Sequence, residues 1–513
     1  MRRALLLSFL PGPALACGGL FCSTGPSAAP VDQSAERILF EVDGDGICAT
    51  VQIQYAGSPE AFAWVVPVPE PPTVEDGDQA LLDALAQATA LQWQLPGIET
   101  SDCFFANGGD EAAASCGCDD AAEAGASALP ADGGVSPPES DVFVFDRQQT
   151  ENYETVTIGA EQAADLVAWL DENAFNVSEN MVPAMQPYAD AGQVFLAIKL
   201  RTDRAAAQIA PIRFCYQAAA PSVPLRLTAV AAQPQMGVQV WVAAHTLYAP
   251  LGTPSGPPLA EELAFDDLGR VNYPAWVARG AARDGRWSLQ FAGEAGVAPG
   301  LAAPWLTSWY TRLGPEQMQV DPVFTADFEV PDFSGLVDLS GRAPVMSCGG
   351  PIEARLPSSC AFVYCGPGAT CVDFADGTAG CVCSAGQVAL AVGDPDGSSH
   401  AVCAPAENPL GVTAEDGGDP CAAVDCGAGA CVARGGFAAC RCAEGSAAVA
   451  TPGLGCVAIP MGARTFAEGA GADAGNHDEA VFQAPLRRRL GLGGLAFVGV
   501  LAWGLRRRRR ASA

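Results

Sequence analysis

At 513 residues, with 58 acidic side chains against 27 basic ones, the chain is too long for one ordinary hydrophobic core. Ten of the basic residues lie in the terminal clusters Arg2–Arg3, Arg487–Arg489 and Arg506–Arg510, which leaves 17 bases against 58 acids between them, a net of −41 where the whole chain has −31. Such a surface repels nucleic acid and anionic lipid headgroups, and the even number of cysteines, 20, suits an oxidising compartment outside the cytoplasm.

Residues 1–16 have the layout of an export signal: basic Arg2-Arg3, an apolar run from Ala4 to Leu10, then Ala14-Leu15-Ala16 as a small-x-small cleavage site. Cys17 then becomes the first mature residue and a candidate for lipidation, although Ala14 stands where a lipobox prefers leucine. The mature start runs Cys17-Gly18-Gly19-Leu20-Phe21-Cys22, then Pro30-Val31-Asp32-Gln33-Ser34-Ala35-Glu36-Arg37-Ile38-Leu39-Phe40, with Gln52-Ile53-Gln54-Tyr55 and Phe62-Ala63-Trp64-Val65-Val66-Pro67-Val68-Pro69 after it. Together these segments resemble the start of a secreted bacterial family known as domain of unknown function 2330. The likeness continues through Ala168-Trp169-Leu170 and Val194-Phe195-Leu196-Ala197-Ile198-Lys199-Leu200, and spans roughly residues 17–345. That family brings no activity with it, so the resemblance implies a boundary and no mechanism.

Read physically, residues 17–345 are strand-rich. Ile38 to Val42 and Ile47 to Tyr55 are β-rich, and Asp43-Gly44-Asp45-Gly46 between them supplies the residues of a tight hairpin turn. A calcium-loop reading of that turn lacks the further ligands and closing glutamate such a loop needs. Ala61 to Val68 reads as a strand and Gln79 to Leu91 as an amphipathic helix with Leu81, Leu82, Leu85 and Ala88 on one side. Periodicity vanishes over 106–140, an acidic flexible insertion with Cys103, Cys116 and Cys118 beside or inside it. Strands are then expected at Val142 to Phe145, Glu154 to Ile158, Val194 to Leu200, Pro211 to Tyr216, Leu225 to Val230, Val238 to Ala243 and Val323 to Val330. Helices are expected at about Ala160 to Glu172 and near Pro304 to Leu313. Long β runs with few helices favour an α+β or sandwich-like domain, with two subdomains joined by the insertion as one option.

Twelve cysteines follow in two sets of six: Cys360, Cys365, Cys371, Cys381, Cys383, Cys403, then Cys421, Cys426, Cys431, Cys440, Cys442, Cys456. The spacings are C-x4-C-x5-C-x9-C-x-C-x19-C and C-x4-C-x4-C-x8-C-x-C-x13-C. Units this small cannot bury enough apolar surface unaided, so covalent staples must stand in for a core. Zinc is disfavoured, since the paired C-x2-C knuckles of zinc ribbons are missing. Spacing alone leaves the connectivity open. The pattern resembles a tandem pair of EGF-like modules, at 358–404 and 419–457, and the resemblance implies pairing of first with third, second with fourth and fifth with sixth. The acidic run that marks the calcium-binding version of that module has no good counterpart before Cys360 or Cys421.

Residues 458–486 read as a flexible low-complexity stalk. After Arg487–Arg489 comes the apolar run 490–505 and then the basic tail 506–513. Sixteen residues at ~1.5 Å rise cover roughly 24 Å, a gap that arginine snorkelling and local thinning can close. The charge bias places the tail in the cytoplasm and residues 17–486 outside, as a single-pass membrane protein of the periplasm or cell surface. The alternative is a C-terminal sorting signal that is removed, with Gly493-Gly494 opening its short apolar helix.

No metalloprotease, esterase, P-loop or dinucleotide motif occurs. Of the three histidines, His400 and His477 lie in a module loop and the stalk, while His245 follows the strand Val238 to Ala243 and could meet an Asp or Ser in space, although a structural histidine is the commoner case. Trp305, Trp309 and Tyr310, at i, i+4, i+5, read as one packed helix face. No catalytic, cofactor or metal residue is singled out. The sequence therefore describes a multidomain chain: a β-rich N-terminal domain, two disulfide-rich EGF-like modules and one C-terminal transmembrane helix. Its expected partners are the membrane, through 490–505, and an unknown protein or glycan. Two functions stay open, a non-enzymatic binding or structural ectodomain of the cell envelope, and an extracytoplasmic hydrolase with its active site within 17–345.

Overall fold

The computed structural model describes residues 32–56, 63–96, 142–173, 175, 181–201, 210–230, 232–266, 269–341, 358–393, 399–407, 421–422, 424–434, 437–450, 453–468 and 479–481. The expected export signal, the expected 106–140 insertion, the run 490–505 and Cys17, Cys22, Cys103, Cys116, Cys118 and Cys348 lie outside the described residues.

The N-terminal domain opens with β1 (Asp32–Asp43) and β2 (Gly46–Ala56), a hairpin closed by the Asp-Gly-Asp-Gly turn with Gly44 at φ +62°, a conformation that favours glycine. There follow β3 (Ala63–Val68), β4 (Thr73–Asp76), α1 (Gln79–Ala88), β5 (Gln92–Gln94), β6 (Phe143–Gln149), β7 (Tyr153–Gly159), α2 (Ala163–Glu172), α3 (Val182–Asp190), β8 (Val194–Leu200), β9 (Ile212–Gln217), α4 (Leu225–Thr228) and β10 (Ala232–Ala244). The domain ends with β11 (Tyr248–Pro250), β12 (Ser255–Gly256), α5 (Tyr273–Asp284), β13 (Trp287–Glu294), β14 (Trp305–Leu313), β15 (Phe324–Ala326) and β16 (Leu336–Asp338).

Two sheets dominate. The larger has eight strands in the order β12-β13-β14-β10-β1-β2-β9-β4, and the smaller runs β3-β8-β7-β6. Alternation decides what lies between them. Ile38, Phe40 and Val42 of β1 and Val238, Val240 and Val242 of β10 share one core with Val66, Val156 and Leu196 of the small sheet and with Leu166, Leu170 and Met185 of α2 and α3. The opposite face of the large sheet carries Leu39, Trp241 and Leu306, packed against Leu82 and Leu85 of α1. Each such side chain contributes roughly 1.5–3 kcal/mol on burial. The same core spans both sheets, so the 106–140 insertion does not separate two subdomains.

Several expected elements change type. Pro304 to Leu313 is strand β14, not helix: Thr307, Thr311 and the tryptophans favour a pleated strand, and β10 and β13 flank it on either side. In a strand Trp309 and Tyr310 point to opposite faces, Trp309 into the main core and Tyr310 onto Tyr273 of α5. Leu225 to Thr228 forms a short helix after Pro224 rather than a strand, and Val323 to Val330 keeps only the three residues of β15.

The C-terminal region comprises β17 (Thr370–Asp373), β18 (Ala379–Val382), β19 (Gln387–Gly393), β20 (Ser399–Pro405), β21 (Gly429–Arg434), β22 (Phe437–Cys442), β23 (Ser446–Val449), β24 (Gly455–Ala458), β25 (Arg464–Ala467) and β26 (Glu479–Val481). Six disulfides hold it: Cys360–Cys371, Cys365–Cys381 and Cys383–Cys403, then Cys421–Cys431, Cys426–Cys440 and Cys442–Cys456. The two units repeat in detail. In each, the second cysteine's carbonyl accepts from the sixth cysteine's N–H, Cys403 to Cys365 at 2.8 Å and Cys456 to Cys426 at 2.9 Å. The residue after that second cysteine, Gly366 or Gly427, has positive φ, and a Cβ there would meet the sixth cysteine's carbonyl oxygen at 2.4 or 2.9 Å.

These units are not separate beads. β18 of the first pairs with β23 of the second at Cys381 and Ala448, and β19 of the first pairs with β22 of the second at Ala389 and Cys440. Ala389 and Ala448 each stand six residues after the fifth cysteine, so the contact is reciprocal, like that of a two-fold dimer within one chain. One sheet, β24-β23-β18-β17-β25-β26, and the other, β20-β19-β22-β21, each take a hairpin from both units.

Part of the expected stalk is also structured. β25 adds to β17, and β26 adds to β25. Glu468, next along, is buried with its side chain 3% exposed and meets Arg279 of α5, 9% exposed, at 3.1 Å. Arg279 also donates to the carbonyls of Cys360 (2.7 Å) and Ala361 (3.0 Å) and to that of Val363. Tyr364 packs on Ala275 and Ala278, and its carbonyl accepts from Gln235 Nε2 at 2.6 Å. Gln235, buried in β10 at φ +59°, is the one described non-glycine residue with positive φ. Sequence composition in 458–468 reads as linker because a lone buried glutamate and one phenylalanine give no period to detect.

Candidate binding groove

One open groove of about 920 Å³ crosses the end of five adjacent strands of the large sheet, β10, β1, β2, β9 and β4. It lies on the face that carries Leu39 and Trp241, since Glu41 and Ala243 continue their alternation. A lateral row in strict register forms its floor: Ala243 opposite Glu41, Glu41 opposite Cys48, Cys48 opposite Cys215, Cys215 opposite Thr73. Cys48 and Cys215 are joined by a disulfide, with 4.0 Å between their Cα atoms. Both are half-buried and line the groove.

Charge in the lining is lopsided. Among the described residues, Glu41, Asp43, Asp45 and Glu70 face a single guanidinium, Arg213. Arg213 is already engaged by Glu41 at 3.1 Å and by Glu75. Burial draws its pKa down, but hydrogen bonds and attraction from these two carboxylates outweigh that, and the group stands above its ordinary value. Glu70 accepts from the backbone N–H of Gln217 at 2.8 Å. Asp43 and Asp45 project from the β1–β2 turn into water, Asp43 with its side chain 95% exposed. Burial pushes the phenol of Tyr216, at the groove wall, well up.

His245 does find an acidic partner: its Nε2 lies 3.3 Å from Asp43 Oδ1, just beyond the end of β10. The pair is exposed to solvent, 73% on the histidine side. The groove's cysteines are tied in the disulfide, so among the described residues no free cysteine stands beside this histidine. His400 lies in strand β20 rather than in a loop, and His477 lies outside the described residues. Among the described residues no group of three or more His, Cys, Asp or Glu side chains is placed to hold a metal ion. Arg213, Glu41, Glu75 and Glu70 were not foreseeable as a set, because the contacts that assemble them join residues 138 to 172 positions apart.

The disulfides place the chain in an oxidising, extracytoplasmic compartment. Among the described residues no helix is long and apolar enough to cross a membrane. No curated protein and no solved structure matches the chain. Residues 11–251 match domain of unknown function 2330, described as an uncharacterized protein conserved in bacteria, a stretch that holds every charged residue of the groove but stops short of the domain's end at about 341.

Proposed function

We propose that this chain is a membrane-anchored bacterial cell-envelope protein whose N-terminal domain is a non-enzymatic binding ectodomain, with the acid-lined groove receiving a basic segment of a protein partner. The observation that carries it is the groove itself: among the described residues, four carboxylates over an open channel, against one guanidinium already claimed by Glu41 and Glu75. Low-dielectric walls focus such a field and raise the local concentration of cations. The paired C-terminal units are read as EGF-like modules, supported by cysteine order and hairpin arrangement, that hold the groove-bearing domain away from the bilayer. A hydrolase reading draws on the His245–Asp43 pair alone, and that pair sits in water.

The groove is tested by titrating the full chain with an arginine-rich decapeptide. The triple substitution Asp43→Asn, Asp45→Asn, Glu70→Gln is expected to weaken binding by about tenfold, since each exposed charge is worth ~0.2–1 kcal/mol. The matched triple Glu161→Gln, Glu172→Gln, Glu329→Gln, on exposed sites elsewhere, should leave it near wild type. Equal losses in both would mean diffuse acidity and no groove site.

The anchor is read from the uncharged run 490–505 with five arginines beyond it. Val498→Arg puts a charge near its middle at a cost of about 2.5–3.5 kcal/mol on the insertion scale, and is expected to release the protein into the soluble envelope fraction. Retention in the membrane would shift the anchor to a lipid on Cys17. A wild-type mature mass lacking the residues after about 490 would make the segment a sorting signal.

A further inference from the structure

We infer that Cys48–Cys215 is a thiol–disulfide exchange site, served through the groove by a partner dithiol whose approaching face is basic; this rests on the groove being a cation-attracting surface. Two independent features coincide here. The first is access without unfolding. Both cysteines are half-buried and line the open groove, whereas Cys360, Cys365, Cys371 and Cys381 are fully buried; of the six C-terminal bridges, Cys421–Cys431 alone shares two half-buried cysteines. The second is a ladder that does not need the bond. Six residue pairs, Gly46–Val51 with Ile212–Gln217, hold the cysteines face to face, and Thr73 pairs with Cys215 on the far side. Reduction therefore leaves β9 hydrogen-bonded on both flanks, and the two thiols remain in place to re-form the bond.

The chemistry balances. A partner thiolate attacks one sulfur, a mixed disulfide forms, and the other protein sulfur leaves as thiolate and takes up a proton. The partner's second thiol then displaces the first protein sulfur. Two electrons pass from the partner dithiol to the protein disulfide, which ends as two thiols while the partner ends as a disulfide. The carboxylates decide which attackers arrive. Glu41 is directly opposite Cys48 in the ladder, and Asp43, Asp45 and Glu70 line the approach, so an anionic thiol meets like charge and a cationic one is drawn in.

The test uses the oxidised full-length chain, a cationic thiol (cysteamine) and an anionic one (mercaptoacetate), with rates compared per thiolate and the products trapped by alkylation and read by mass spectrometry. Emission of the buried Trp241 and Trp309 reports whether the fold persists. Cys48 and Cys215 are expected to be labelled while that emission stays native, with cysteamine ahead by about tenfold at low ionic strength and the ratio collapsing at ~0.5 M salt. Asp43→Asn with Asp45→Asn should shrink the ratio in low salt. Labelling of this pair only in step with loss of native emission, or equal rates for the two thiols, overturns the proposal. The double substitution Cys48→Ser, Cys215→Ser separates the two readings: it should still bind the arginine peptide. Peptide binding without charge-selective exchange would sink the exchange site and leave the groove standing, whereas loss of selective binding in the wild type would remove the groove reading itself.

Discussion

Replacing Glu468 by alanine is expected to weaken the joint between the N-terminal domain and the paired C-terminal units by about 3–5 kcal/mol, the cost of stranding one member of a buried ion pair. Arg279 would keep its carbonyl partners at Cys360 and Ala361 but would hold an uncompensated charge in a site from which water is almost absent. The substitution also takes away the carboxylate that Cys365 N–H meets at 3.4 Å. Hydrogen exchange should show the change as lost protection in α5 and in residues 464–468, ahead of any loss in the core strands β1 and β10. Adding Arg279→Met to the alanine variant should recover part of the deficit, because an apolar side chain carries no charge to desolvate. If the single variant melts and exchanges like wild type, the pair does not hold the joint.

Removing one C-terminal staple is expected to have a comparable effect, and to spread. The Cys442→Ser, Cys456→Ser variant loses a bridge across 14 residues, which the chain-entropy account values at about 3 kcal/mol within a usual range of 2–5. A unit with its own core would confine that loss to residues 421–458. Here β23 supports β18 at Cys381, and Ala448 and Ala450 share a buried cluster with Cys360, Cys371 and Cys403. Amide protection should therefore fall in β18 and β19 of the first unit as well as in β23 and β24. Full protection of β17 to β20 in this variant would show that the units fold independently after all.

Local chemistry made much of this legible. The Asp-Gly-Asp-Gly turn announced the β1–β2 hairpin because few other residues accept its backbone angles, and Leu82 and Leu85 marked the buried face of α1. α3 and α5 are not legible in the sequence, since Pro183 and Pro274 at their starts and Pro187 within α3 resemble loop punctuation, although proline is at home in a helix's first turn. β14 reads as helix because Trp305, Trp309 and Tyr310 satisfy a helical spacing, while the flanking strands that settle the matter come from β10 and β13, the former some 70 residues away by its Gln239 contact to Trp309. His245 lies just past the end of its strand, where the sequence puts it within possible reach of an Asp or Ser. Nothing local in the sequence pointed to Asp43, 202 residues earlier, as that partner. The reciprocal pairing of the two cysteine-rich units was equally hidden, because single bridges at Ala389 and Ala448 leave no trace in alanine.

The hairpin of β25 and β26 sets the mechanical order in which the chain yields to a pull at its C-terminal end. Among the described residues Val481 is the first loaded, and it pairs with Arg464, so the three pairs of β26 unzip one at a time at low force. Tension then reaches the buried carboxylate of Glu468, next after β25. Only there does the load meet a bond to both halves of the molecule, Arg279 on one side and β17 on the other. The β25–β26 hairpin thus acts as a fuse, yielding to a pull at Val481 before the six bridges or the groove are strained.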